Sequence, residues 1–232
     1  MLEVADLTIR YGPFLAVDQL SISVGAGEIV GVVGPNGAGK SSIVKAIGGL
    51  VQPQGGRILF DGQDLSSVPT HERIKRGLSI VPEGRGLFPA MSVEENLVIA
   101  GDVLNNRARC ARNIERCYAL FPILSERRWQ AAGTLSGGQQ QMVAVSMGLM
   151  SEPRLLILDE PSLGLAPIVI GEIGRSLRNL GVGGLTVVLF EQNAKLTCSV
   201  ADRIYLVASG AVRSHDRADS LMSNPEVLEH LI

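Results

Sequence analysis

Short apolar runs alternate along the chain with longer stretches whose apolar residues recur at helical spacing. Glu28 to Val33, Leu78 to Val81, Leu155 to Leu158, Thr186 to Phe190 and Arg203 to Val207 are rich in Val, Ile and Leu. Near-continuous apolar runs of this length predict strands covered on both faces, so the alternation predicts an α/β domain with a mainly parallel sheet. The N-terminal pattern differs. Val4 to Ile9 and Ser21 to Val24 alternate and are linked through turn residues such as Gly12-Pro13, which predicts an antiparallel β flank. Between about residues 86 and 150 the strand signals fade, and Val93 to Val103, Ala108 to Leu120 and Gly137 to Met150 predict helices of an inserted helical subdomain.

Composition narrows the class. The 232 residues suffice for one domain with a substantial core, and 46% of them are hydrophobic. No apolar run approaches the ~18 residues that would cross a bilayer. A net charge of -2 and an isoelectric point near 6.0 leave no basic footprint, so nucleic acid is not an expected partner. The opening residues lack the charged, apolar and small-residue succession of a signal peptide, and the expected location is the cytoplasm. Cys110, Cys117 and Cys198 match no metal spacing and are expected as reduced thiols. The arginines Arg107, Arg109, Arg112, Arg116, Arg127 and Arg128 fit either a solvated helix surface or a partner-facing one.

Three segments carry phosphate chemistry. Gly34-Pro35-Asn36-Gly37-Ala38-Gly39-Lys40-Ser41-Ser42 follows a predicted strand and opens a helix, where backbone N–H groups converge on phosphates and glycines allow a close wrap. Lys40 can then reach the β- and γ-phosphates, and the Ser41 hydroxyl can ligate Mg²⁺. The apolar run Leu155 to Leu158 delivers Asp159 and Glu160 to the sheet's C-terminal edge, where ligands of such sheets sit. Asp159 suits the Mg²⁺ shell, and Glu160 suits a general base that polarises the attacking water. Leu135-Ser136-Gly137-Gly138-Gln139 precedes a helix, with Ser136 placed as its N-cap. The same hydroxyl and two glycines also make an anion site, which another subunit's nucleotide can occupy.

Over essentially its whole length the chain resembles an ATP-binding cassette (ABC) protein: residues 1–232 as one nucleotide-binding domain with a P-loop NTPase core. Leu135 to Gln139 matches that family's signature motif. The resemblance implies a head-to-tail dimer that sandwiches two ATPs, with Ser136, Gly137 and Gly138 facing the opposite protomer's γ-phosphate. Tyr11 resembles the aromatic residue that stacks on adenine. Finer features resemble the ATPases of branched-chain amino acid (Liv-type) importers, in particular the second, F-type subunit. These are Val81-Pro82-Glu83-Gly84-Arg85, Met91 to Leu97, Pro161 to Pro167 and Phe190 to Ala194. Such importers pair two different ATPases with two permeases and a periplasmic or extracellular binding protein, so the resemblance implies a head-to-tail heterodimer with a second ATP-binding subunit. The resemblance thus implies a peripheral ATPase on the cytoplasmic face of the inner (plasma) membrane, with a homodimer possible in isolation. Related amide and urea importers, or a regulatory subunit that binds ATP with little hydrolysis, remain alternatives.

Departures from the general family pattern bear on rate. Glu83 stands where most members carry a Gln near Mg²⁺, and Gln192 where most carry a His that holds the γ-phosphate. Ala166 replaces an Asp at the dimer interface. Gln192 can hydrogen-bond phosphate but cannot become cationic. The ATP held by this Lys40 and Glu160 is therefore expected to turn over more slowly than the one facing Ser136.

Overall fold

In the computed structural model, which describes residues 1–221, ten strands form two sheets. Strand β1 (Leu2–Tyr11) pairs antiparallel with β2 (Phe14–Val24) and, on its other edge, with β4 (Gly55–Phe60), which β5 (Gln63–Asp64) extends. The larger sheet runs β10 (Ala211–Arg217), β9 (Arg203–Ala208), β3 (Ile29–Val33), β8 (Thr186–Glu191), β7 (Leu155–Asp159), β6 (Leu78–Val81). All neighbours in it are parallel except β10, which turns back on β9. Mainly parallel core and antiparallel flank therefore stand as expected. The flank is larger than the N-terminal alternation predicts, because β4 and β5 carry too many glycines and polar residues to read as strands.

The central strands explain their unbroken apolar sequence. In β3, Val30 and Val32 pack on one side, while Ile29 and Val33 face the other; in β7, Leu155 and Ile157 oppose Leu156 and Leu158. With side chains alternating across the sheet, both faces are buried, and the middle positions of β3 and β7 are apolar on both. One side meets the β flank through helix α1 (Lys40–Gly48), whose Ile43, Val44, Ala46 and Ile47 fill the gap between the sheets. The other side carries α7 (Pro167–Val182), α8 (Ala194–Val200) and the helical segment.

That segment comprises α3 (Val93–Gly101), α4 (Arg107–Leu120), the short α5 (Pro122–Glu126) and α6 (Gly137–Leu149); α2 (Thr70–Lys75) precedes β6. Helix α3 stops two residues earlier than its apolar pattern predicts. It passes into a 3₁₀ turn, Asp102–Leu104, which ends where Asn105 takes a left-handed backbone with φ 46°. A capping box starts α3: Ser92 Oγ accepts from Glu95 N–H at 3.2 Å, and Ser92 N–H donates to the Glu95 carboxylate at 2.7 Å. Among the arginines, Arg109 pairs with Glu152 and Arg128 lies over the Trp129 ring, 4.8 Å from its centroid. The three cysteines are free thiols.

Candidate nucleotide site

Strand order creates the site. β8 lies between β3 and β7, so the loop after β3, the acids at the tip of β7 and Gln192 after β8 emerge side by side at the sheet's C-terminal edge. A cleft of about 310 Å³ opens there. Asn36 to Ser42 line it together with the acids Glu83 and Glu160 and the apolar Tyr11, Phe14 and Leu163.

The loop Gly34 to Gly39 is held by contacts that exclude larger residues. A Cβ on Gly34 would lie 2.1 Å from the Val207 carbonyl oxygen, and one on Gly39, at φ 97°, 2.5 Å from the Ala16 oxygen. Gly34 N–H donates to Glu191 O at 3.2 Å, and Gly210 N–H donates to Ala38 O at 3.1 Å. The loop is thus pinned to β8 and to the β9–β10 turn, and Asn36 to Ser42 line the cleft where α1 begins, the arrangement that receives phosphate.

Lys40 is buried to 5% exposure. Its ammonium donates to Gly34 O at 2.6 Å and Pro35 O at 3.0 Å and lies 3.0 Å from Glu160 Oε1. Glu160 has φ 49°, a left-handed backbone that costs a non-glycine residue energy. Its other oxygen accepts from Gln192 N–H at 3.2 Å. Asp159 is raised to about 6: burial dominates, the Glu160 and Glu83 charges add to it, and the Ser41 hydroxyl and Lys40 oppose it. Its Oδ1 is buried without a hydrogen-bond partner. An orphaned carboxylate oxygen beside a hydroxyl fits a hard cation that keeps phosphate and water as its remaining ligands.

Not all predicted residues meet in this cleft. Ser136, Gly137 and Gly138 head α6 outside it; Ser136 Oγ accepts from Gln139 N–H at 3.3 Å, and Ser136 N–H donates to Gln139 Oε1 at 3.1 Å. Gln192 is exposed and reaches the cleft through its backbone. Two residues escape the sequence reading. Phe14 faces Tyr11 across the hairpin and lines the cleft beside it; an aromatic directly after the Gly12-Pro13 turn was the available signal. Glu191 closes the apolar run Val187 to Phe190 yet is fully buried, and a charge closing such a run was the signal there.

A phosphate-binding loop on a parallel sheet, a β flank clasping its helix and a strand-tip acid pair define a P-loop nucleotide hydrolase of the cassette type. The chain belongs to the ABC transporter family, whose profile matches residues 17–163, and is an ATPase of that family. It is 41% identical over 227 residues to the high-affinity branched-chain amino acid transport ATP-binding protein BraG of Pseudomonas aeruginosa, spanning 98% of this chain and 97% of the relative. Similarity to the lipopolysaccharide export system ATP-binding protein LptB of Haemophilus influenzae is lower, 31% over 229 residues, 98% of this chain and 95% of that one. Among solved structures, a nucleotide-free cassette from an ABC transporter superposes with a TM-score of 0.87 at 25% identity, covering 100% of this chain and 98% of the other. A cassette in its ADP conformation gives 0.84 at 26% identity, covering 99% and 97%.

Proposed function

We propose that this chain is the ATP-hydrolysing subunit of an importer for branched-chain amino acids, peripheral to the cytoplasmic face of the membrane. The observation that carries the substrate is the 41% identity to BraG across nearly the full length of both chains, against 31% to LptB. BraF, a second branched-chain amino acid transport ATP-binding protein of the same organism, is 32% identical. Two such ATPases in one organism support a heterodimer, completed by two permeases and a substrate-binding protein.

The site supports hydrolysis by positioning and electrostatics. ATP lies with its adenine against Tyr11 and its phosphates in the Gly34 to Ser42 loop, and Lys40 takes the charge growing on the γ-phosphoryl oxygens. Ser41 and Asp159, with Glu83 nearby, would hold Mg²⁺, which would supply further neutralisation of the phosphate charge. Glu160 accepts hydrogen-bond character from the attacking water, and Gln192 orients the γ-phosphate. Ser136 and its glycines complete the partner's site. Affinity purification of the tagged chain from native membranes, followed by leucine uptake in a deletion strain, tests this reading. Two permeases, a second ATPase and loss of leucine uptake are expected. Recovery with lipopolysaccharide export proteins, or unchanged uptake, overturns the substrate.

A further inference from the structure

Among the described residues, the buried acid Glu191 has no part in the proposed mechanism. Glu191 is 0% exposed, and its carboxylate collects three donors: Ser162 N–H at 2.8 Å, Ser162 Oγ–H at 2.9 Å and Asn193 N–H at 3.2 Å. Ser162 is two residues beyond Glu160, and Asn193 directly follows Gln192. The reciprocal bond runs the other way, from Gln192 N–H to the Glu160 carboxylate at 3.2 Å. Glu160 N–H donates to Phe190 O at 2.8 Å, and the Glu191 carbonyl accepts from Gly34 N–H at 3.2 Å. The tips of β7 and β8 are therefore cross-laced, each by a carboxylate that holds the other's backbone.

We infer that Glu191 is a positioning residue for hydrolysis: by gripping Ser162 and Asn193 it holds the left-handed Glu160 and the Gln192 backbone in the geometry that presents the Glu160 carboxylate to the cleft. A left-handed non-glycine residue persists only where its surroundings over-determine it, and the turn after Glu160 has Glu191 as its buried anchor. The chemistry requires an acid. A carboxylate accepts all three donors, whereas a Gln amide offers one acceptor oxygen and turns an NH₂ toward the remaining N–H. Burial raises the pKa of Glu191, and its hydrogen-bond donors draw it back.

This inference rests on Glu160 as the base, so the test includes that residue. ATP hydrolysis and ATP binding are measured on the purified full chain for Glu191→Gln, Ser162→Ala, Glu160→Gln and the Glu160→Gln/Glu191→Gln pair. Misplacing a reacting group by about 1 Å costs on the order of 100-fold, so Glu191→Gln should lower kcat by about 10- to 100-fold while KM and ATP affinity move less than about 3-fold. Ser162→Ala, which keeps the backbone bond, should show a smaller loss in the same direction. In the Glu160→Gln background the second change should add nothing, because its route runs through Glu160. Wild-type turnover by Glu191→Gln beside an inactive Glu160→Gln, or an additive loss in the pair, overturns the inference alone. Should Glu191→Gln not fold, wild-type kcat in Ser162→Ala overturns it equally. Wild-type turnover by Glu160→Gln removes the reading of the base, and this inference with it.

Discussion

The Lys40 ammonium lies 3.0 Å from Glu160 Oε1, and both side chains are buried. In the proposed mechanism this pairs the cation that receives phosphate with the acid that polarises water, and nucleotide would separate them. Breaking a buried pair leaves an uncompensated charge, so Lys40→Met should destabilise the nucleotide-free chain by about 3–5 kcal/mol. Adding Glu160→Gln should restore most of that loss. Denaturant unfolding of both single variants and the double variant measures the coupling, and strictly additive losses contradict it.

Glu160→Gln alone should split binding from turnover. Losing the base lowers hydrolysis by about 10²- to 10⁴-fold, the usual contribution of a positioned general base. ATP affinity should hold or rise, because Lys40 no longer has a charged competitor. Titration calorimetry with ATP, set against phosphate release, separates the two.

Asp159 should give a pH-dependent cost. Its folded pKa of about 6 exceeds the unfolded carboxylate value near 3.8, so the folded chain binds more protons between those values. The stability that depends on a neutral Asp159 is fullest below about pH 4 and is lost as pH rises through 6. Asp159→Asn should therefore stabilise the metal-free chain at pH 7.5 by about 1–3 kcal/mol, with little gain at pH 4, and abolish Mg²⁺-dependent hydrolysis. Chemical unfolding in EDTA at both pH values reads the first effect, and Mg²⁺ titration of activity the second.

Tyr11 and Phe14 present two rings to one cleft, 44% and 62% exposed. Stacking a base on an aromatic is worth about 1–3 kcal/mol, so Tyr11→Ala should weaken ATP about 5- to 150-fold while Tyr11→Trp retains affinity. Phe14→Ala should matter less if adenine sits on Tyr11 alone; equal losses at both positions would place the base between them. Direct binding of ATP, compared with inorganic triphosphate, isolates the adenine contribution.

In the proposed heterodimer, Glu83, Ala166 and Gln192 would make this chain's own site the slower of the two. Within the assembled transporter, Glu160→Gln in this chain should reduce transport less than the corresponding change in its partner. Uptake assays on the two singly altered complexes decide this, and equal losses contradict the asymmetry.

Local backbone chemistry made the phosphate loop legible in the sequence: the wrap needs glycines such as Gly37 and Gly39, which take φ 81° and 97°, between a strand and a helix. The buried strands were legible for a related reason. A sheet covered on both faces favours apolar side chains along the middle of its strands, so β3, β7 and β8 announce themselves by apolar runs, with polar residues confined to strand ends such as Asp159 and Glu191. Three features were decided only by tertiary structure, namely the meeting of Lys40 with Glu160, the isolation of Asp159 Oδ1 and the grip of Glu191 on Ser162. Each depends on β8 inserting between β3 and β7, a pairing of strands far apart in the chain. Spacing along a sequence carries no record of which strands become neighbours. The burial that makes an acid costly, and a single hydrogen bond decisive, arises only once they have.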